Sequence, residues 1–397
     1  MYKKIIKNII LILVLVSLVS CSGKKEIKVS DLKMNIDDML FDDLVVEAIK
    51  ESNGKRFVVK SALPIVEEST DAFLEYLSKI NPDYDLEIVY EDSSDEDIFN
   101  AINEEKKNKD SVSVVIGKNL SIYKELKEKD RLLSYIPLDY RKANGIKKEN
   151  EPSDMIVATK FSPIYTQNDE LKDIDNMWKF LFCEDDSFYI NVYPDEYDTF
   201  LDNLLTEKGV KILKDAYEAL SDEEKNKIKE IFENDITING LNETFKDSDT
   251  LKDKLDILNF MYMVDKKLVQ SEDFDEDSII LGHNANYKGV TGYFNNYYIY
   301  ADSYSPLPYT TLCYIAFVTS KFDGFKAIAE EPFIYTTNNL IREEITDYYM
   351  DKRSRDKIVD RGYDWWKNNQ YVIEKNEEEV GKILKDIDKI APSPGVG

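Results

Sequence analysis

The chain has one histidine in 397 residues, His283, and only three cysteines, Cys21, Cys183 and Cys313. A lone histidine excludes a serine–histidine or cysteine–histidine catalytic pair supported by a second imidazole, and it excludes a multi-histidine metal site. Glycine is scarce too, at 14 residues, which argues against a glycine-rich all-β repeat. Neither common glycine-rich phosphate loop is present. Basic residues are outnumbered, 52 Lys and Arg against 78 Asp and Glu, for a formal charge of -26. A body so acidic is repelled by nucleic acid and by anionic lipid surfaces. Asp273-Phe-Asp275-Glu-Asp277 imitates the start of a calcium loop, but Ser278 stands where the loop needs glycine, and its twelfth position holds no glutamate. Carboxylates are so abundant that no glycosidase pair can be singled out.

What is present begins at the amino terminus. Lys3, Lys4 and Lys7 precede an apolar run, Ile9 to Val19, interrupted only by Ser17. The run is shorter than the roughly 20 residues a spanning helix needs and has the flanks of a secretory signal. It ends in Leu18-Val19-Ser20-Cys21, which resembles the bacterial lipobox, with Val19 where Ala or Ser is common. The resemblance implies that Cys21 is lipidated and that residues 1–20 are removed, taking three lysines with them. Residues 21–34 then form a tether, and the body works outside the cytoplasm, anchored through acyl chains. With Cys21 modified, Cys183 and Cys313 remain, each within an apolar run, and both are expected as buried free thiols.

Apolar residues at 43% and aromatic residues at 12% support a real core. Helical spacing covers 35–52, 66–80, 96–106 and 120–129, and strand-like runs cover 56–61, 85–90 and 111–116. Strands alternating with helices imply right-handed βαβ units and a parallel sheet. Further on, 155–167 reads as two extended pieces broken at Ser162-Pro163, and 188–193 as a strand. Ser221-Asp-Glu-Glu224 reads as a capping box. Residues 251–268 read as a helix, 278–281 and 313–319 as strands, and 322–330, 340–350, 354–366 and 377–390 as helices. The polar stretch 140–152 reads as surface chain.

The order RFVVKS, INPDYDLEIVY, SVSVVIG, LSIYKELKEKDRLLSYIPLD, PIYTQND, DNMWKFLF and FYINVYPDEY resembles extracellular solute-binding proteins of bacterial ABC importers, over about residues 55–205. Two departures stand out: an extra helix precedes the first strand, and Ser113-Val114 replaces the family's Asp-Val phrase. The resemblance implies an α/β, two-lobed periplasmic-binding-protein-like fold of type II, with parallel-rich sheets flanked by helices and a hinge between lobes. Lobe 1 would span 35–160 with part of 280–397 returning to it, and lobe 2 would span 161–280. Residues 281–397 would supply crossing strands and terminal helices. It implies no catalysis, no cofactor and no resident metal. A monomer would capture a small solute in an interlobe cleft and deliver it to an ABC permease.

By position in that family, Ser61 and Leu63 on the first loop, Tyr165, Tyr193 and Asp195 would contact ligand, as would the Tyr297-Tyr298 pair. Adjacent tyrosines suit ferric coordination or stacking on a sugar, but alternating tyrosines on a strand also suit a core. Trp365-Trp366 on a late helix would line a cleft or close the core, with the core favoured, and Trp178 is expected in packing. The charge favours a cation such as a polyamine and the tyrosine content a saccharide. A surface lipoprotein binding a protein or glycan partner, and a glycoside hydrolase, remain as alternatives.

Overall fold

The computed structural model describes residues 38–390 apart from 105–110, 169–170, 172, 184–187, 191–196, 271–277, 283–285, 332, 346–361 and 370, together with Val29 and Leu32. In chain order the first elements are α1 (Phe41–Ser52), β1 (Lys55–Ser61), α2 (Val66–Ile80), β2 (Leu86–Asp92) and α3 (Asp95–Glu104). Then come β3 (Val114–Gly117), α4 (Leu120–Glu128), β4 (Leu132–Leu133) and α5 (Leu138–Ala143). The middle holds β5 (Met155–Thr166), a 3-10 turn (Met177–Phe182), β6 (Phe188–Ile190), α6 (Tyr197–Asn203), α7 (Glu207–Glu218), α8 (Asp222–Asn234), α9 (Ile236–Phe245) and α10 (Leu255–Asp265). The last part holds β7 (Leu268–Gln270), β8 (Ile279–Ile280), β9 (Val290–Asp302), α11 (Pro308–Ser320), α12 (Phe322–Ile328), β10 (Ile334–Tyr335), α13 (Tyr363–Asn369), β11 (Tyr371–Glu374) and α14 (Glu377–Ile390). The fold is mixed α/β, as the sequence implies.

The chain forms two compact units. Unit 1 holds the residues through Met155 and Ile299–Phe317; unit 2 holds Ile156–Tyr298 and the residues from Val318 on. The backbone therefore passes from one to the other three times.

In unit 1, β1 pairs in parallel with β2, from Lys55 opposite Leu86 to Ser61 opposite Asp92, and with β3, with Val59 opposite Val114. β3 is buried along its length, as expected of an apolar strand covered on both faces. The returning end of β9 lies beside β3, and β4 pairs with it antiparallel, Leu132 opposite Asp302. The amide of Asp302 donates to the carbonyl of Ser113. Phe73 of α2 meets Tyr314 and Phe317 of α11, each with ring centres 5.3 Å away, and Phe57 of β1 closes the group. The Tyr314 hydroxyl and the Ser69 hydroxyl share a 2.7 Å hydrogen bond, so the one polar tip in this aromatic core is satisfied.

α11 corrects a sequence expectation. Cys313–Thr319 reads as a strand, yet it lies in a helix whose residues Thr310–Thr319 are all buried. Enclosure on every side removes the polar stripe that would betray a helical period, and an apolar run without periodicity does not separate the two states.

In unit 2, β5 lies beside β9 and pairs antiparallel with β6, β8 and β10. β11 runs parallel to β9, and β7 parallel to β6. β5 is a single 12-residue strand that runs through Ser162-Pro163 without a break, a second correction. Helices α7 to α10 enclose a core around Trp178, whose indole N–H donates to the carbonyl of Leu213 at 2.8 Å. Trp366 is buried and stacks on Phe161 at 4.6 Å. Gly292 lies against the Phe161 ring, where any Cβ would collide. The capping box is formed: the Ser221 hydroxyl accepts from the Glu224 amide, and the Glu224 carboxylate accepts from the Ser221 amide at 2.8 Å. Residues 251–268 are divided among a 3-10 turn, α10 and the start of β7 rather than forming one helix. Within 140–152, expected as surface chain, α5 ends at Ala143 and a 3-10 turn spans Lys148–Asn150.

Candidate functional site

Ligands of open parallel sheets bind beyond the carboxyl ends of the strands. In unit 1 that edge is built by three connections: Ser61 to Val66 after β1, Asp92 to Asp95 after β2, and Gly117 to Leu120 after β3.

The first connection is folded upon itself. Ser61 is buried, and its hydroxyl both donates to the Leu63 carbonyl and accepts from the Leu63 amide, each at 3.0 Å. Such a local ring is a common serine turn. Leu63 is 1% exposed. Both residues therefore shape the loop from within; the loop presents Pro64 to solvent, and the first turn of α2 presents Glu67 and Glu68. Tyr90 donates to the Leu63 carbonyl at 3.4 Å.

The third connection is held by Asp95, at the start of α3. Its carboxylate accepts from the amides of Lys118 at 3.1 Å and Asn119 at 3.2 Å, and from the hydroxyl of Tyr123. Asn119 in turn caps α4, accepting from the amides of Ser121 and Ile122. The amide donors that open a helix after a strand form a ready anion site; here the chain's own side chains fill it. Gly117 is required at this turn, because a Cβ would overlap the Tyr123 hydroxyl and the Asp95 carboxylate. Burial, and then the Asp95 carboxylate, push the Tyr123 phenol far up, so it stays protonated and donates.

Around this frame the edge is acidic: Glu67, Glu68, Asp92, Glu96 and Asp97 are exposed. Lys60 is ion-paired with Glu91, its register partner across β1 and β2. An edge with these charges suits a neutral hydroxylated solute or a cation better than an oxyanion.

The other sequence candidates lie in unit 2 or outside the described residues. Tyr165, near the end of β5, is buried with its ring stacked on Tyr189 at 5.6 Å. Tyr297 is buried and Tyr298 half-buried on β9. Successive strand side chains point to opposite faces, so these two phenols diverge and do not form one metal site. Tyr193, Asp195, His283, the acidic run 273–277 and Cys21 lie outside the described residues. Cys313 is a buried free thiol as expected; Cys183 is free but only half-buried. Among the described residues no group of three or more His, Cys, Asp or Glu could hold a metal, and no helix is long and apolar enough to cross a membrane. The missed residues are Asp95, Asn119 and Tyr123. Their sequence signal was the strand-Gly-x-Asn-helix order at 114–120.

No family model matches the sequence, and no curated protein matches it. Among solved structures the chain is similar to the maltose-binding periplasmic protein MalE of Listeria monocytogenes in complex with maltose, with TM-score 0.48 and 12% identity over 83% of this chain and 90% of that one. It is similar to ferric iron-binding protein A of Mannheimia haemolytica in an open conformation, with TM-score 0.43 and 12% identity over 85% and 98%. It is also similar to the sulfate-binding protein SubI of Mycobacterium tuberculosis, with TM-score 0.41 and 9% identity over 74% and 91%. None of these three TM-scores reaches 0.5.

Proposed function

We propose that this chain is the solute-binding component of an ABC importer, anchored outside the cytoplasm through lipid on Cys21, and that its solute is a saccharide or a polyamine. The observation that carries the solute class is the carboxyl edge of the unit 1 sheet. There the Asp95 and Asn119 side chains occupy the amides of Lys118, Asn119, Ser121 and Ile122, and exposed carboxylates surround them. That arrangement supports hydroxyl or ammonium recognition and disfavours sulfate-like ions. Two units joined by three chain crossings supply the covalent arrangement of a hinge. The lipobox-like Leu18-Val19-Ser20-Cys21 supports the location. On this reading the protein binds and releases its solute to a permease without transforming it, and no cofactor is needed.

The test is a thermal-shift screen of residues 22–397 against maltose and other saccharides, spermidine, putrescine, amino acids, sulfate and ferric citrate. A solute at 100 times its Kd adds about 2.7 kcal/mol of stability. A stabilising saccharide or polyamine is expected. A response to sulfate alone would overturn the solute class, and no response to any small solute would overturn the importer reading. Incorporation of labelled palmitate into the full chain, abolished by Cys21→Ala, tests the anchor.

A further inference from the structure

A polar path in unit 1 runs from that sheet edge to the places where the chain leaves and re-enters the unit. It starts at the third edge connection, where Asp95 holds Lys118 and Asn119 and accepts from Tyr123. The ring of Tyr123 stacks on Tyr300, with centres 5.2 Å apart and planes 26° from parallel. The Tyr300 hydroxyl donates to Asp154 at 2.8 Å. Asp154 is also paired with Lys127 of α4 at 2.6 Å and accepts from the Ser153 hydroxyl, while Lys127 donates to the Ser153 carbonyl at 3.0 Å. Burial pushes the Asp154 carboxyl up, but the hydrogen bonds from Lys127, Ser153 and Tyr300 outweigh it, so the group stays charged and accepting.

The end points are notable for where they lie in the chain. Asp154 is one residue before Met155, the last of unit 1 before the first crossing, and Tyr300 is one residue after Ile299, the first of unit 1 after the second. The two crossings are thus tied to each other by one hydrogen bond, and both are tied to the sheet edge through two stacked rings. Every group in the path belongs to unit 1. Tyr123 is fully buried, so its hydroxyl has no water to turn to if Asp95 moves.

We propose that Tyr123 and Tyr300 are positioning residues that couple the Gly117–Asn119 connection to the two crossings, so that a solute engaging this connection resets the chain where it leaves and re-enters unit 1. The purpose rests on the solute-binding reading; the coupling does not.

The test uses hydrogen–deuterium exchange of the ligand-free 22–397 body, with peptides covering 150–160 and 296–304. Tyr123→Phe keeps the ring stack and removes only the bond to Asp95, a group remote in sequence from either crossing. Exchange in both peptides is expected to rise roughly tenfold, with peptides from α2 and β2 unchanged. Tyr300→Phe removes the bond to Asp154 and should give the same pattern. The double variant should exchange no faster than the faster single one, since one break suffices to uncouple a series path. Crossing peptides within about twofold of the parent, acceleration spread evenly over unit 1, or additive effects in the double variant would each overturn the coupling. Because no solute is added, a failed solute screen leaves this result interpretable. If the screen supplies a saccharide or polyamine, that compound should protect the crossing peptides in the parent and not in Tyr123→Phe; equal protection in both would overturn the proposed use of the relay.

Discussion

The carboxylate of Glu51, in the last turn of α1, accepts two hydrogen bonds from Thr310 at the start of α11, from the amide at 2.9 Å and from the hydroxyl at 3.0 Å. One side chain thereby caps a helix 259 residues away, supplying acceptors to donors the helix itself leaves open.

This contact predicts a pH effect of unusual sign. Burial raises the Glu51 carboxyl, and the Thr310 hydrogen bonds offset that only in part. A folded value above the unfolded one contributes stability that is complete below the unfolded value and is lost as pH rises through the folded value. Glu51→Gln keeps an acceptor for Thr310 without charge. It should therefore raise Tm at pH 7.5 and do so less at pH 4.5. Calorimetric scans at both values check this, and a larger gain at low pH would contradict it.

Glu224 has the opposite sign. A hydrogen bond from Lys179, then the Ser221 amide, bring its carboxyl down to about 2. Its contribution is present above the unfolded value and disappears as pH falls toward 2. Ser221→Ala should cost about 0.5–2 kcal/mol at neutral pH, read by urea denaturation.

Glycines sort by their surroundings. Gly381 in α14 and Gly240 in α9 have open space where a Cβ would stand, so alanine at each should stabilise by about 0.5–1 kcal/mol. Gly117→Ala should instead destabilise by about 1–3 kcal/mol and suppress any solute-induced thermal shift. Denaturation midpoints of the three variants give the comparison.

Thiol labelling should distinguish the two cysteines of the 22–397 body. Cys183 is half-buried and Cys313 buried, both free. A thiol reagent should titrate one thiol per native chain and two in denaturant, and added reductant should leave Tm unchanged. A reductant-sensitive Tm would show a disulfide.

Two helices with one apolar stripe were legible to the residue, α2 and α14, whose bounds are those the Val66–Ile80 and Glu377–Ile390 spacing implies, whereas the spacing over 35–52 and 96–106 misses the bounds of α1 and α3 by up to six residues. The capping box was legible because its geometry is local. α9 was missed: Ile-Thr-Ile-Asn-Gly mixes β-branched residues with glycine, and its start is set by the Asp235 side chain, which accepts from the Thr237 and Ile238 amides. The edge loops of unit 1 were placed correctly, but the residues within them were not readable. Ser61 is a polar residue at a strand end, and nothing in sequence says that its hydroxyl turns back on Leu63. In sequence Asp95 is one acidic residue beside Asp92, Glu96 and Asp97, and only the return of Lys118 and Asn119, more than twenty residues on, makes it the fixed point.

The re-entry of the chain into unit 1 at Ile299 also has a consequence in time. The strand beside β3 and the helix that fills the aromatic core, Phe73 included, are made only after all of Ile156–Tyr298. At about 5–20 residues per second, a ribosome reaches them roughly seven to thirty seconds after Met155. Until then the rings of Phe57 and Phe73 lack Tyr314 and Phe317, and β3 lacks the strand that borders it, so unit 1 is completed only by its last segment.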